Sequence, residues 1–216
     1  MASEGTLNPK FIKFCVYIFI AEILLLVFFS NPRSVSRVIA AEGVKIENAM
    51  GSKTLKELDR KTSITFNDLF IQSGVYAGAW HSVIPTEDEK KASGTMKDMG
   101  RGIFNYVDSR MTTCMFLFFL LISRIELLIL WLPSSAIIFI SSIISGYYLR
   151  KMKQGSFAFA SPSAHRFALK IILVLITFMP MFLLAPVALT PYFYPVLNIF
   201  VAFLMQAIIA NIAKRI

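Results

Sequence analysis

Glu22 stands inside the apolar run Phe11–Phe29, and it is the first residue of this chain whose position could do chemistry. An ionisable group at membrane depth is costly, so it marks either an ion or proton site or a structural pair. Arg124 and Glu126 enter early in a second apolar run. Residues two apart on a helix point to different faces, so these two do not satisfy each other. Arg124 is expected to pair with Glu22, snorkelling where needed. The pair would be structural. No second acidic residue at that depth supports a proton relay, and no repeated broken helix supports a transporter.

A second group lies between two apolar runs. Arg150, Lys151 and Lys153 close one run, and His165 and Arg166 open the next, with Lys170 one turn further on. Phe157 and Phe159 alternate with alanines, so both rings point the same way if that stretch is extended. Cations beside paired aromatics suit docking, to acidic lipid or to a protein partner. Ser161 is placed to cap a helix whose first residue is Pro162.

Other chemistry lacks companions. His165 has no neighbour for metal binding or general base work, and His81 is expected on the opposite side of the membrane. Cys15 and Cys114 each lie in or beside an apolar run, without a C-x-x-C pattern, and read as small hydrophobes. No catalytic constellation, metal site or cofactor motif is present, so the chain is expected to be no enzyme.

The elements that must position these residues are membrane helices. Of 216 residues 56% are hydrophobic and 16% charged, against about 45–50% and about 25% for a globular domain. The net charge of +9 is unevenly placed. Residues 1–29 are neutral, and residues 30–110 carry twelve basic and ten acidic side chains. From Leu127 onward there is no Asp or Glu, and seven basic residues flank the apolar runs. That is topology-setting charge and not a basic groove, so direct contact with nucleic acid is not expected.

Phe11–Phe29 reads as an uncleaved anchor, too long and too bulky at its end for a signal peptide. Residues 31–110 are polar and helical in pattern, with Val35, Ile39 and Ile46 at helical spacing. Asn67-Asp68 is a candidate cap for a helix through Trp80, Pro85 ends that segment, and Thr86–Gly94 reads as an exposed loop. Met96–Arg110 reads as helix again. Met111–Leu149 is then too long for one ~30 Å crossing. It is either a hairpin turning at Leu132-Pro133-Ser134-Ser135 or one long helix. A single crossing puts Arg150, Lys151, Lys153, Arg166 and Lys170 inside, so the charge rule favours the long helix. Phe167–Leu189 and Val196–Ile212 complete four crossings, joined by an aromatic turn over Thr190–Pro195 suited to the outer interface.

The expectation is an all-α integral membrane protein with both termini in the cytoplasm. It divides into residues 1–30 (tail and anchor), 31–110 (a small periplasmic helical segment) and 111–216 (a three-helix membrane domain with a basic cytoplasmic loop, 150–166).

One order of features carries a resemblance: an apolar run with an early Arg124, then Leu132-Pro133, more apolar sequence and Tyr147-Tyr148-Leu149-Arg150-Lys151. A short gap with Gly155 follows, then Ser156-Phe157-Ala158-Phe159, then His165-Arg166 opening an apolar helix. Over residues 111–216 this resembles a family of membrane proteins of integrating conjugative elements and conjugative plasmids. Many members read His-His where this chain has Ala164-His165, so no paired-histidine role carries over. The resemblance implies a non-enzymatic component or accessory of a conjugative, type IV secretion apparatus in the bacterial inner membrane. It implies contact with the coupling-protein ATPase or a channel subunit as well as with membrane lipids. Homo-oligomerisation is left open. The competing functions are a small transporter or ion-conducting protein centred on Glu22, and an entry-exclusion or regulatory protein acting through residues 31–110.

Overall fold

A computed structural model describes residues 9–75, 77–78, 97–156 and 161–212. Several expectations lie outside them: His81, Pro85, the stretch Thr86–Gly94, and Phe157 and Phe159. The side chain of Cys15 also lies outside. All regular structure among the described residues is helical.

The first helix, α1, is Pro9–Phe29. Asn31 stops it and starts the next: its Oδ1 accepts from the Arg33 backbone N–H at 3.1 Å, and Pro32 needs no donor partner at the first helical position. Helix α2, Pro32–Met50, bends 108° away from α1. Gly51 then takes φ 87°, a left-handed conformation that a Cβ would strain, and α3 follows as Ser52–Phe66. Residues 31–66 are thus helical as expected.

One local reading fails. Asn67 does not cap a new helix. Its φ −61° and ψ −45° are helical, and the chain runs on through a π-helical turn, Asn67–Gln72. Phe66 stacks on Phe70 at 5.3 Å, and Phe70 lies 4.8 Å from Phe118, so ring packing takes the place of a cap.

Helix α4 is Lys97–Gly155, 59 residues through Pro133 without a break. That is about three times the ~20 residues of one crossing. The hairpin alternative at Leu132–Ser135 is therefore not what forms. Pro133 cannot donate a helical hydrogen bond; around it the hydroxyls of Ser134 and Ser135 both bond back to the Trp131 carbonyl, at 2.9 and 2.8 Å. Helix α5 is Pro162–Leu184 and α6 is Phe193–Ala210.

Tyr106–Gly155, Pro162–Leu184 and Phe193–Ala210 are long and apolar enough to cross a membrane, and the bent α1–α2 pair makes a fourth candidate if it is one broken span. The turn before α6 differs from expectation in detail. Tyr192 is exposed, but Tyr194 is turned inward and buried.

The chain clusters into two compact units. One holds the described residues up to Glu126 together with Leu183–Ala188; the other holds Leu127–Phe182 and the residues from Leu189. In the first, Val35, Leu117 and Leu120 form a buried core, with Leu26, Val38, Ile39 and Phe116 against it. In the second, α4 and α6 meet along small and polar residues. Asn198 donates to Ser135 Oγ at 2.6 Å, Gln206 to Ser145 Oγ at 2.9 Å, and Ser142 to the Ala202 carbonyl. A Cβ on Gly146 would lie 3.0 Å from Ile209 Cβ and 3.1 Å from the Gln206 carbonyl. Small residues let membrane helices approach closely in this way.

Candidate functional site

The described residues show two polar constructions. The first is built on α4 within the unit ending at Glu126. Thr113, Leu117, Leu120 and Arg124 are buried at alternating four- and three-residue spacing, one face of a helix. Arg110 falls on the same face, fourteen residues before Arg124 and close to four full turns away.

Arg124 is 1% exposed, and every one of its guanidinium donors has an acceptor. Nε and Nη2 reach Glu42 Oε1 at 3.2 and 2.6 Å. Nη1 donates to the carbonyls of Leu183 and Ala185, both at 2.8 Å, and Nη2 to Val187 at 2.8 Å. Five N–H groups in a rigid fork are what such a convergence of acceptors requires. These carbonyls lie at and just past the end of α5, where helical partners run out. Lys45 on α2 adds a hydrogen bond to the Ala188 carbonyl at 2.6 Å. Residues 183–188 are thereby clamped to α2 and α4.

The expected pair of Arg124 with Glu22 is corrected. Arg124 pairs with Glu42, and Glu22 is half-buried with an Oε2 that has no hydrogen-bond partner among the described residues. The reason lies in the 108° bend. It folds α2 over so that its inward stripe, buried Val35, Glu42 and Ile46 with half-buried Ile39, carries a carboxylate to α4. A signal for Glu42 was present. Val35, Ile39 and Ile46 leave one gap in the stripe, and Glu42 fills it.

Arg110 repeats the arrangement. Its Nη1 donates to the carbonyls of Val27, Phe28 and Ser30 at 3.2, 2.8 and 2.7 Å, closing the end of α1. Its guanidinium also lies 4.7 Å from the centre of the Tyr106 ring. A cation at a helix C-terminus complements the negative end of the dipole. Sequence reasoning missed this role, because the acceptors are backbone atoms.

The second construction is the basic end of the other unit. Ser161 Oγ accepts from the Ala164 backbone N–H at 3.3 Å, so Ser161 and Pro162 start α5 as expected. Asn211, buried and not anticipated, ties three helix ends together. Its Oδ1 accepts from Lys153 Nζ at 2.8 Å and from the Ser161 N–H at 3.2 Å, and its Nδ2 donates to Ala207 at 2.8 Å. His165 Nδ1 sits 3.0 Å from the Ile208 carbonyl. Lys153 and His165 are thus engaged inside the fold. Lys151 and Arg166 are exposed and Arg150 is half-buried, with Lys151 Nζ 5.1 Å from the centre of the Tyr147 ring. Among the described residues no three His, Cys, Asp or Glu side chains converge as a metal site.

Comparison with curated proteins and with solved structures finds no match. A family model, however, matches residues 34–215. It covers the Arg124–Glu42 clamp and the basic end, and reaches into residues 34–110, ahead of the stretch 111–216 that carries the sequence resemblance. On that match the chain belongs to the DtrJ-like family, the IncC plasmid conjugative DNA transfer proteins.

Proposed function

We propose that this chain is a non-enzymatic inner-membrane component of the conjugative DNA-transfer apparatus. The observation that carries the reading is the family match over residues 34–215, joined to three helices long and apolar enough to cross a membrane. Both termini and the loop around residues 150–166 are placed in the cytoplasm, because the basic residues beyond Leu127 all flank apolar runs. We assign the docking surface for the coupling-protein ATPase or a channel subunit to this basic loop: Lys151 and Arg166 are exposed, and Phe157 and Phe159 lie in the same stretch of sequence. Lys153 and His165 support that surface from inside.

Three measurements test this. Reporter fusions after Gly155 and at Ile216 should report cytoplasm, and one near Glu89 periplasm; a periplasmic signal at Gly155 sinks the topology. Deletion of the gene in the donor should abolish transfer, and deletion in the recipient should not. The opposite pattern would favour entry exclusion. In a donor with normal protein level, Phe157→Ala with Phe159→Ala should reduce transfer and co-purification of the coupling ATPase more than Lys151→Gln does.

A further inference from the structure

A pocket of about 510 Å³ opens within the unit ending at Glu126, inside the range of about 300–1,000 Å³ typical of small-molecule sites. Ser36 and Ile39 of α2 form one wall, Phe116 and Phe119 of α4 a second, and Phe66 and Ile71 the third. The third wall is where the chain turns π-helical, over Asn67–Gln72. Such turns are rare and often sit at functional sites. Ser36 supplies the one hydroxyl among these six side chains, so the interior suits a hydrocarbon chain and not a polar ligand.

Two observations say what carries that chain. The first is continuity with apolar surface that a bilayer covers. Ile39 and Phe116 pack on the same core as Leu26 of α1, and Leu24, Leu25, Phe28 and Phe29 of that helix are exposed. Apolar surface so extended needs a hydrophobic cover. The second is charge. Arg33 and Arg37 are exposed, within one turn of Ser36, and the first turn of α2 holds no acidic residue. Asp68, two residues past Phe66, points to a different side of its helix. Asp108 lies seven residues before Met115, about 10 Å along α4. We propose that the pocket holds one acyl chain of a membrane phospholipid, whose phosphate rests on Arg33 and Arg37. The proposal needs the chain to lie in a membrane; it does not depend on the conjugation partner.

The test uses the full chain, purified in a maltoside detergent and titrated with phosphatidylglycerol, with bound lipid counted by native mass spectrometry. One phospholipid should stay bound per chain. Met115 also lines the pocket, and Met115→Trp, which fills it, should abolish retention. Arg33→Gln with Arg37→Gln leaves the pocket open and should weaken binding about 25-fold, each cation near the phosphate contributing about fivefold. Ile137→Trp, at an exposed position of α4 outside the lining, should leave binding unchanged. Unchanged denaturation midpoints establish that the variants are folded. If Met115→Trp does not fold, the arginine variant, altered only at exposed positions, decides alone. No retained lipid in the wild type overturns the proposal. So does wild-type binding in the arginine variant or in a folded Met115→Trp, or a loss in Ile137→Trp equal to that in Met115→Trp, which would mark lipid held over the whole apolar surface. A dimer that Met115→Trp splits would give the pocket to a second copy, and displacement of the lipid by inorganic phosphate would leave only an ion on the arginines; either result rejects the lipid.

Discussion

In the unit ending at Glu126, full charges terminate helices; in the unit beginning at Leu127, neutral hydroxyls and amides join them. Arg110 and Arg124 each gather the carbonyls of a chain end, three apiece. Ser135, Ser142 and Ser145 instead make single hydrogen bonds to α6 beside the close approach at Gly146. The two strategies differ in what failure costs. A buried charge that loses one partner leaves an uncompensated ion. A lost neutral bond in a membrane setting leaves groups that find substitutes.

The largest effect is therefore expected at the Arg124–Glu42 pair. Glu42→Gln should destabilise the unit by about 3 to 5 kcal/mol, read as a shifted midpoint in a denaturant titration of the detergent-solubilised protein. Arg124→Met should cost more, since it also orphans three carbonyls. The double variant should recover part of the loss, giving a coupling free energy well above zero in a double-mutant cycle. Glu22→Gln should not lower stability. A large loss there, coupled to Arg124, would restore the pairing expected from sequence.

This contrast also separates what could be read in the sequence from what could not. The apolar runs, the helical residues 31–66 and the start of α5 at Ser161-Pro162 follow from local rules of length, periodicity and capping. The continuity of α4 through Pro133 followed only from the charge rule, because a lone proline permits either a kink or a turn. The partner of Arg124 was hidden for a different reason. Glu22 and Glu42 are both lone carboxylates within helical apolar patterns, and only the bend between α1 and α2 decides which one meets α4. The backbone acceptors of Arg110, Arg124 and Lys45 have no sequence signature, since any residue supplies a carbonyl. Asn67 was misread because its capping propensity is weaker than the packing of Phe66, Phe70 and Phe118.

In the unit beginning at Leu127 the largest expected effect is steric. Gly146→Leu would force a side chain against the Gln206 carbonyl and Ile209, and overpacking of this kind costs about 1–3 kcal/mol. Gly146→Ala should cost less, because a single Cβ at 3.0 to 3.1 Å can be relieved by a shift of a few tenths of an ångström. Equal losses for Ala and Leu would mean that the backbones of α4 and α6 cannot adjust at all.

Arg110→Met comes next. It removes the cation closing α1 and leaves the carbonyls of Val27, Phe28 and Ser30 without that donor. Arg110 is only half-buried, so water replaces part of what is lost, and about 1–2 kcal/mol is expected. The readout is faster hydrogen exchange in the last turn of α1, with the Arg124 region unchanged. A loss as large as that of Glu42→Gln would show that the two arginines act as one unit.

The smallest effect is expected at Asn198, and it tests the comparison most directly. Asn198 Nδ2 donates to Ser135 Oγ at 2.6 Å, while Ser135 itself bonds back to the Trp131 carbonyl. Asn198→Leu removes the donor and leaves the serine with its own acceptor, so no group of the pair becomes a buried orphan. Hydrogen bonds between membrane helices average about 0.6 kcal/mol in double-mutant cycles, and that is the loss expected here. The added apolar volume of leucine offsets part of it where α6 has room. A measured loss near 3 kcal/mol would place this neutral contact with the charged clamp, and the distinction between the two units would fail. A loss below about 1 kcal/mol, beside a severalfold larger loss for Glu42→Gln, would establish that the charged unit is where the fold is most easily broken.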